Sequence, residues 1–139
     1  FDALRTQRVL LEGMILKPNM VVPGLKCPTQ AGVDEVADAT VQVFRRSVPA
    51  AVGGIAFLSG GQSAQDASAR LNAMNARHAG KLPWPLAFSF ARAIQDPAMK
   101  AWAGKTENVG AAQKALVERA RLNRLARQGK YTAAMETGR

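Results

Sequence analysis

The stretch Val9-Leu10-Leu11-Glu12-Gly13-Met14-Ile15-Leu16-Lys17-Pro18-Asn19-Met20 decides the reading of this 139-residue chain. An apolar run rich in branched side chains ends in a lysine, and a proline follows it directly. The run is short for a helix and reads as a strand buried on both faces. Pro18 disfavours the α region for Lys17, so the backbone stays extended through the lysine. One amine is therefore expected at the C-terminal mouth of a buried strand. Burial penalises the charged form of a lysine, and the neutral amine can attack a carbonyl. On spacing alone, the more common reading is a lysine that snorkels from a strand end into water.

Two further apolar runs follow downstream. Gly54-Ile55-Ala56-Phe57-Leu58-Ser59 reads as a strand and is followed at once by Gly60-Gly61-Gln62-Ser63. Ser63 is the candidate N-cap of the next helix, with Asp66 three residues on and Ala67, Leu71 and Met74 facing inward. A strand, a Gly-Gly turn and a helix start together can cradle an anion, because glycine exposes backbone N–H groups with no Cβ in the way. Most such turns are only tight connections. Pro83-Trp84-Pro85 then introduces Leu86-Ala87-Phe88-Ser89-Phe90, followed by Ala91-Arg92-Ala93-Ile94-Gln95. An arginine at a strand's C-terminal end can grip phosphate with its planar fork, although a surface ion pair is its usual use.

Helical spacing fills the intervals. Val33, Val36, Ala37, Val41, Phe44 and Val48 recur at helical period over about 33–47, with Asp34 and Glu35 in the first turn and Arg45 and Arg46 in the last. Asp96-Pro97 reads as a helix opening with proline first. A short helix over 98–102, closed by Gly104, is expected after it. Thr106 then caps a long basic helix over about 107–128, with Val109, Ala112, Leu116, Ala120 and Leu125 as its apolar stripe and Gly129 as its stop. Its Lys114, Arg119, Arg121, Arg124, Arg127 and Lys130 read as a solvated face. Residues 132–139 are expected to form a mobile tail. Alternating strands and helices imply α/β architecture with right-handed crossovers and a parallel sheet.

Three motifs in register carry a resemblance. Leu10-Leu11-Glu12-Gly13 with Leu16-Lys17-Pro18-Asn19-Met20-Val21 resembles the Schiff-base strand of class I fructose-bisphosphate aldolases. Phe57-Leu58-Ser59-Gly60-Gly61-Gln62-Ser63 is similar to the motif after that family's next barrel strand, and Phe88-Ser89-Phe90-Ala91-Arg92-Ala93-Ile94-Gln95 to its last strand. The family more often has glycine where this chain has Ala91. The resemblance implies the C-terminal portion of a (β/α)₈ barrel, about three parallel strands with their helices. A whole barrel takes about 250 residues, so more than half would lie upstream of Phe1. Phe1 is not methionine and no targeting signal follows it, in agreement with a truncated start.

The resemblance also implies roles. Lys17 would form an imine with fructose 1,6-bisphosphate, leading to dihydroxyacetone phosphate and glyceraldehyde 3-phosphate. Ser59, Gly60, Gly61, Ala91 and Arg92 would bind one substrate phosphate. No metal and no cofactor are implied. The acid/base carboxylates and two further lysines would lie upstream, and Glu12 reads as a buried, paired structural carboxylate. The family's catalytic C-terminal tyrosine has no counterpart, since Tyr131 lies too close to the long helix. A homo-oligomer when full length (a tetramer in the family) and a cytoplasmic location, with the plastid as alternative, are further expectations. Competing readings are a Schiff-base aldolase for a related sugar phosphate, or a non-catalytic fragment or binding module with a basic surface.

Composition narrows these choices. Nineteen basic residues against ten acidic give a net charge of +9, compatible with nucleic acid, a membrane surface or anionic metabolites. The two tryptophans, one tyrosine and five phenylalanines form no stacking motif among the basic residues, which argues against nucleic acid. No apolar run approaches the roughly 20 residues of a membrane span. Cys27 is the only cysteine, so no internal disulfide can form; it reads as a plain free thiol in a reducing compartment. His78 is the only histidine and lacks the cluster a metal site needs, so it reads as a solvated loop residue. Three barrel strands alone would leave two unpaired edges, and the isolated chain is expected to be neither stable nor active.

Overall fold

The computed structural model describes residues 1–136. Three strands form one parallel sheet in the order β1 (Ile15–Leu16), β2 (Gly54–Phe57), β3 (Leu86–Phe88). Ile15 pairs with Gly54, while Ile55, Ala56 and Phe57 pair with Leu86, Ala87 and Phe88. Crossover helices α2 (Val33–Ser47) and α3 (Ala64–Arg77) join the strands. A short helix α1 (Asp2–Thr6) precedes them, and α4 (Arg92–Trp102) and α5 (Val109–Arg127) follow. Short 3₁₀ turns lie at Leu11–Gly13, Thr106–Asn108 and Ala133–Glu136.

The alternation of apolar strands with amphipathic helices produces this layering. Ile55, Phe57 and Leu86 bury against Val36, Val41 and Phe44 of α2 and Ala67, Leu71 and Met74 of α3. Phe44 stacks on Phe57 with ring centroids 5.6 Å apart. Ser63 caps α3 as its position suggests, its Oγ accepting from the Asp66 N–H at 3.0 Å.

The lysine stretch departs from expectation. Its apolar run is interrupted by the 3₁₀ turn Leu11–Gly13, and only Ile15–Leu16 pairs as a strand. Leu10 is 70% and Ile15 69% exposed, so this strand is not buried on both faces. The reason is topological: β1 is bonded to β2 alone among the described residues, leaving its other edge and one face without cover. Glu12 is likewise exposed instead of buried and paired.

Helix α4 opens at Arg92, four residues before the expected Asp96-Pro97 start. The Ala91 carbonyl accepts from both Ile94 and Gln95 N–H at 3.0 Å, closing a turn directly at the end of the strand region. Pro97 then sits inside the helix, where it removes one hydrogen bond without ending it.

Helix α5 turns a different face inward than its apolar stripe suggests. Its buried residues are Arg119, Leu122, Asn123 and Ala126, while Leu116 is 43% exposed. Polar pairing decides this orientation. Arg119 Nη2 donates to Ser68 Oγ at 2.6 Å and to the Ala64 carbonyl at 2.8 Å, and Ser68 Oγ lies 2.7 Å from Asn123 Oδ1. Arg119 therefore belongs to no solvated face. Its Nη1 meets Glu136 at 2.7 and 2.6 Å, and the Tyr131 hydroxyl donates to Glu136 at 2.8 Å. These bonds hold the stretch expected to be a mobile tail as far as Glu136; residues 137–139 lie outside the described residues.

His78 also differs from the solvated residue expected. Its side chain is 18% exposed and its Nε2 lies 3.0 Å from Asp38 Oδ1, beside the Arg77 fork on the same carboxylate. Cys27 is exposed and free.

Candidate active site

The three parallel strands bring the groups after them to one end of the sheet. Backbone pairing continues past β1, with Leu58 N–H donating to the Pro18 carbonyl at 3.0 Å. It also continues past β3, with Ser89 N–H donating to the Phe57 carbonyl at 2.8 Å. Lys17 follows β1 directly, Ser59-Gly60-Gly61 follows β2, and Ala91-Arg92 forms the opening of α4 after β3. In a β/α layer this carboxyl end is where loops converge on ligands.

Each group has its own local cause. Lys17 follows directly on the paired residues of β1, and Pro18 beyond it disfavours the α region there. Lys17 is exposed, so the expected desolvation is not met: β2 alone flanks its strand among the described residues. Ser59 is buried to 5% exposure, and its carbonyl accepts from both the Gln62 N–H and Gln62 Nε2 at 3.0 Å. Arg70 Nη1 in turn donates to Gln62 Oε1 at 2.8 Å, bracing the turn from α3. Gly60 adopts φ +57° and Gly61 φ +80°, a left-handed pair that favours glycine.

Ala91 stands at φ −97° and so needs no left-handed conformation where the family more often has glycine. Arg92 is exposed at the first position of α4. The first turn of a helix presents N–H groups with no intrahelical acceptor, and these face the same sheet end as the glycine turn. A helix start of this kind favours negative charge in general.

Two contributors escaped the sequence reading. Gln62 closes the Ser59 turn, and Asn19 packs against Gly60: a Cβ there would run into Asn19 Oδ1 and come within 2.7 Å of its Cγ and Nδ2. Neither follows from periodicity. The only signal for Asn19 was its place within the Lys17-Pro18 motif.

Among the described residues no group of His, Cys, Asp and Glu could hold a metal ion, and no helix is long and apolar enough to cross a membrane. A cavity of about 1030 Å³ opens elsewhere, between α4, α5 and the 3₁₀ turn at Glu136. Gln65, Pro97, Lys114, Arg119 and Met135 line it, and none of the strand-end groups does.

Parallel strands joined by crossover helices, with loops gathered at their carboxyl ends, are the architecture of a portion of a β/α barrel. The chain belongs to the class-I fructose-bisphosphate aldolase family, whose model matches residues 1–139. Fructose-bisphosphate aldolase C of Rattus norvegicus is 49% identical over 138 residues, covering 99% of this chain. The cytoplasmic isozyme 2 of Pisum sativum is 51% identical over 138 residues, again 99% of this chain. The chain spans 38% of the length of each of these relatives. A solved structure agrees: fructose-bisphosphate aldolase from Plasmodium falciparum, in a ternary co-crystal with TRAP and a small-molecule inhibitor, superimposes with a TM-score of 0.90. It is 47% identical, and the match covers 96% of this chain and 38% of that one. Its barrel supplies the context in which these three strands are a C-terminal portion.

Proposed function

We propose that these residues carry the amine and one phosphate subsite of a class I aldolase that cleaves fructose 1,6-bisphosphate. The observation behind this reading is the placement of Lys17, Ser59-Gly60-Gly61 and Ala91-Arg92 at one end of a parallel sheet. The Lys17 amine attacks the C2 ketone, and loss of water leaves a protonated imine. That cation accepts the electron pair of the breaking C3–C4 bond as an enamine, while a base outside these residues takes the C4 hydroxyl proton. Glyceraldehyde 3-phosphate leaves; protonation of the enamine at C3 and hydrolysis then release dihydroxyacetone phosphate and the free amine.

C1 is bonded directly to the imine carbon, so its phosphate must be held beside Lys17. The glycine turn and Arg92 are the anion-binding groups at that end. The remaining acid/base groups belong to the part of the relatives that this chain does not span. A homo-oligomer is the proposed assembly of the complete protein. A cytoplasmic location is proposed on the strength of the pea relative, which is named a cytoplasmic isozyme.

Borohydride reduction in the presence of substrate tests the reading in the complete polypeptide that contains these residues. Covalent labelling is expected at Lys17 and lost in Lys17→Ala; labelling that survives the substitution removes Lys17 from the mechanism. Arg92→Ala is expected to weaken binding of the bisphosphate by roughly 1.5–3 kcal/mol, the range for a hydrogen bond to a charged group, and to spare a substrate without the 1-phosphate.

A further inference from the structure

Asn19 stands between the two functional groups of this sheet end, two residues after Lys17. Its side chain occupies the space over Gly60 that any Cβ would need. Its own position is fixed from both sides. Before it, the Pro18 carbonyl is bonded to Leu58 N–H at 3.0 Å, which ties the segment to the end of β2. After it, Met20 is buried to 3% exposure, and Val21 N–H donates to Thr40 Oγ1 at 2.9 Å. Thr40 is itself fully buried on α2 and donates to the Val36 carbonyl at 2.7 Å. The asparagine orients its own side chain by accepting from Met20 N–H through Oδ1 at 2.9 Å. Asn19 is thus anchored through its backbone on either side and through its own Oδ1, and it meets at Gly60 a turn that Gln62 closes and Arg70 braces from α3.

We propose that Asn19 is a positioning residue that sets the distance and angle between the Lys17 amine and the phosphate-binding turn at Gly60. The proposal rests on the Schiff-base reading above and extends it to a residue with no chemical step of its own. Two conditions must hold together when a phosphorylated ketone reacts: the carbonyl carbon must meet the amine, and the phosphate must meet the N–H groups of the turn. Gln62 and Arg70 fix the Ser59 end of the turn; without the Asn19 side chain as a wedge, Gly60 itself gains room to move against the lysine strand. A misplacement of about 1 Å costs on the order of 100-fold in a reaction that depends on orientation. The loss therefore falls on ketones that carry the phosphate. A ketone without it makes no use of the turn.

The test is the rate of borohydride trapping at Lys17 in the complete polypeptide, with dihydroxyacetone phosphate and with dihydroxyacetone. Asn19→Ala is expected to slow trapping with the phosphorylated ketone by about 10- to 100-fold and to leave the slower dihydroxyacetone reaction unchanged. The second reaction also reports whether the variant is folded. A second-site comparison probes the contact itself. Gly60→Ala places a methyl group where the Asn19 amide sits, so adding Asn19→Gly to it is expected to cost little further rate. Equal losses with both ketones would reduce Asn19 to general support of the fold. An unchanged rate with the phosphorylated ketone, or multiplicative losses in the double variant, would refute the positioning role while leaving Lys17 labelling intact. Absence of wild-type labelling at Lys17 would instead overturn the Schiff-base reading, and this proposal with it.

Discussion

Removing Glu136 is expected to be among the most destabilising single changes in the chain, though it lies far along in a stretch that reads as a tail. The Arg119 side chain is only 5% exposed and that of Glu136 15%, with a closest approach of 2.6 Å. Both Arg119 Nη1 contacts go to this carboxylate, while Nη2 is held separately by Ser68 and Ala64. Arg119 Nε and Asn123 Nδ2 already lack partners among the described residues, so the cluster has no spare acceptor. Glu136→Ala thus leaves the largely buried Arg119 guanidinium, beside the cavity it lines, without its carboxylate and also removes the acceptor of the Tyr131 hydroxyl. Breaking a buried pair from one side costs about 3–5 kcal/mol. Arg119→Met is expected to cost less, about 2 kcal/mol, because the stranded carboxylate keeps the Tyr131 bond and is three times as exposed. The pair substituted together is expected to fall at least 1 kcal/mol short of the sum, about the coupling of directly bonded partners. Urea unfolding of the complete polypeptide, with m-values compared, measures all three. A cost below about 1 kcal/mol for Glu136→Ala, or simple additivity, would refute the buried-charge argument.

Three other outcomes are expected. The Asp38 carboxyl is held below its ordinary pKa by the Arg77 hydrogen bond first and the His78 contact second, both raising the stability of the ionised form. A depressed carboxyl contributes stability above its unfolded pKa and loses it as pH falls through the folded value. Thermal melting followed into acid is expected to show a shallower decline in Asp38→Asn than in the wild type; parallel curves would disconnect the α2–α3 clasp from acid stability. Burial, then the bond to Glu136, pushes the Tyr131 phenol above its ordinary pKa. Its contribution is complete below the unfolded value and lost as pH rises toward the folded one, so the phenolate absorbance that disappears in Tyr131→Phe is expected to titrate above the ordinary range; titration at the free-tyrosine value would place the ring in water. Among the described residues β1 has one unpaired edge, with Ile15 69% exposed on it and Leu10 70% exposed ahead of the 3₁₀ turn that precedes it. Sedimentation is expected to find the 139 residues by themselves associated or unfolded, and a folded, stable monomer would overturn that view.

Local chemistry was enough to determine a good part of this protein. The α2 limits at Val33–Ser47, the Ser63 cap and the inward set Ala67, Leu71 and Met74 all follow from short-range rules. Tertiary structure decided whatever depends on having a neighbour. The lysine strand reads as buried because its residues are apolar, yet burial needs a second partner strand, and among the described residues β1 has only β2. Helix α5 reads as apolar along Val109, Leu116 and Ala120, but its inner face is set by Arg119 and Asn123 meeting Ser68 and Glu136, residues up to 55 positions away. Asn19 escaped notice for the same reason: its value lies in a contact with Gly60, and a hydrogen-bond or steric partner across 41 positions leaves no period in the sequence. Periodicity records which face of an element is apolar; only packing decides which face finds a partner.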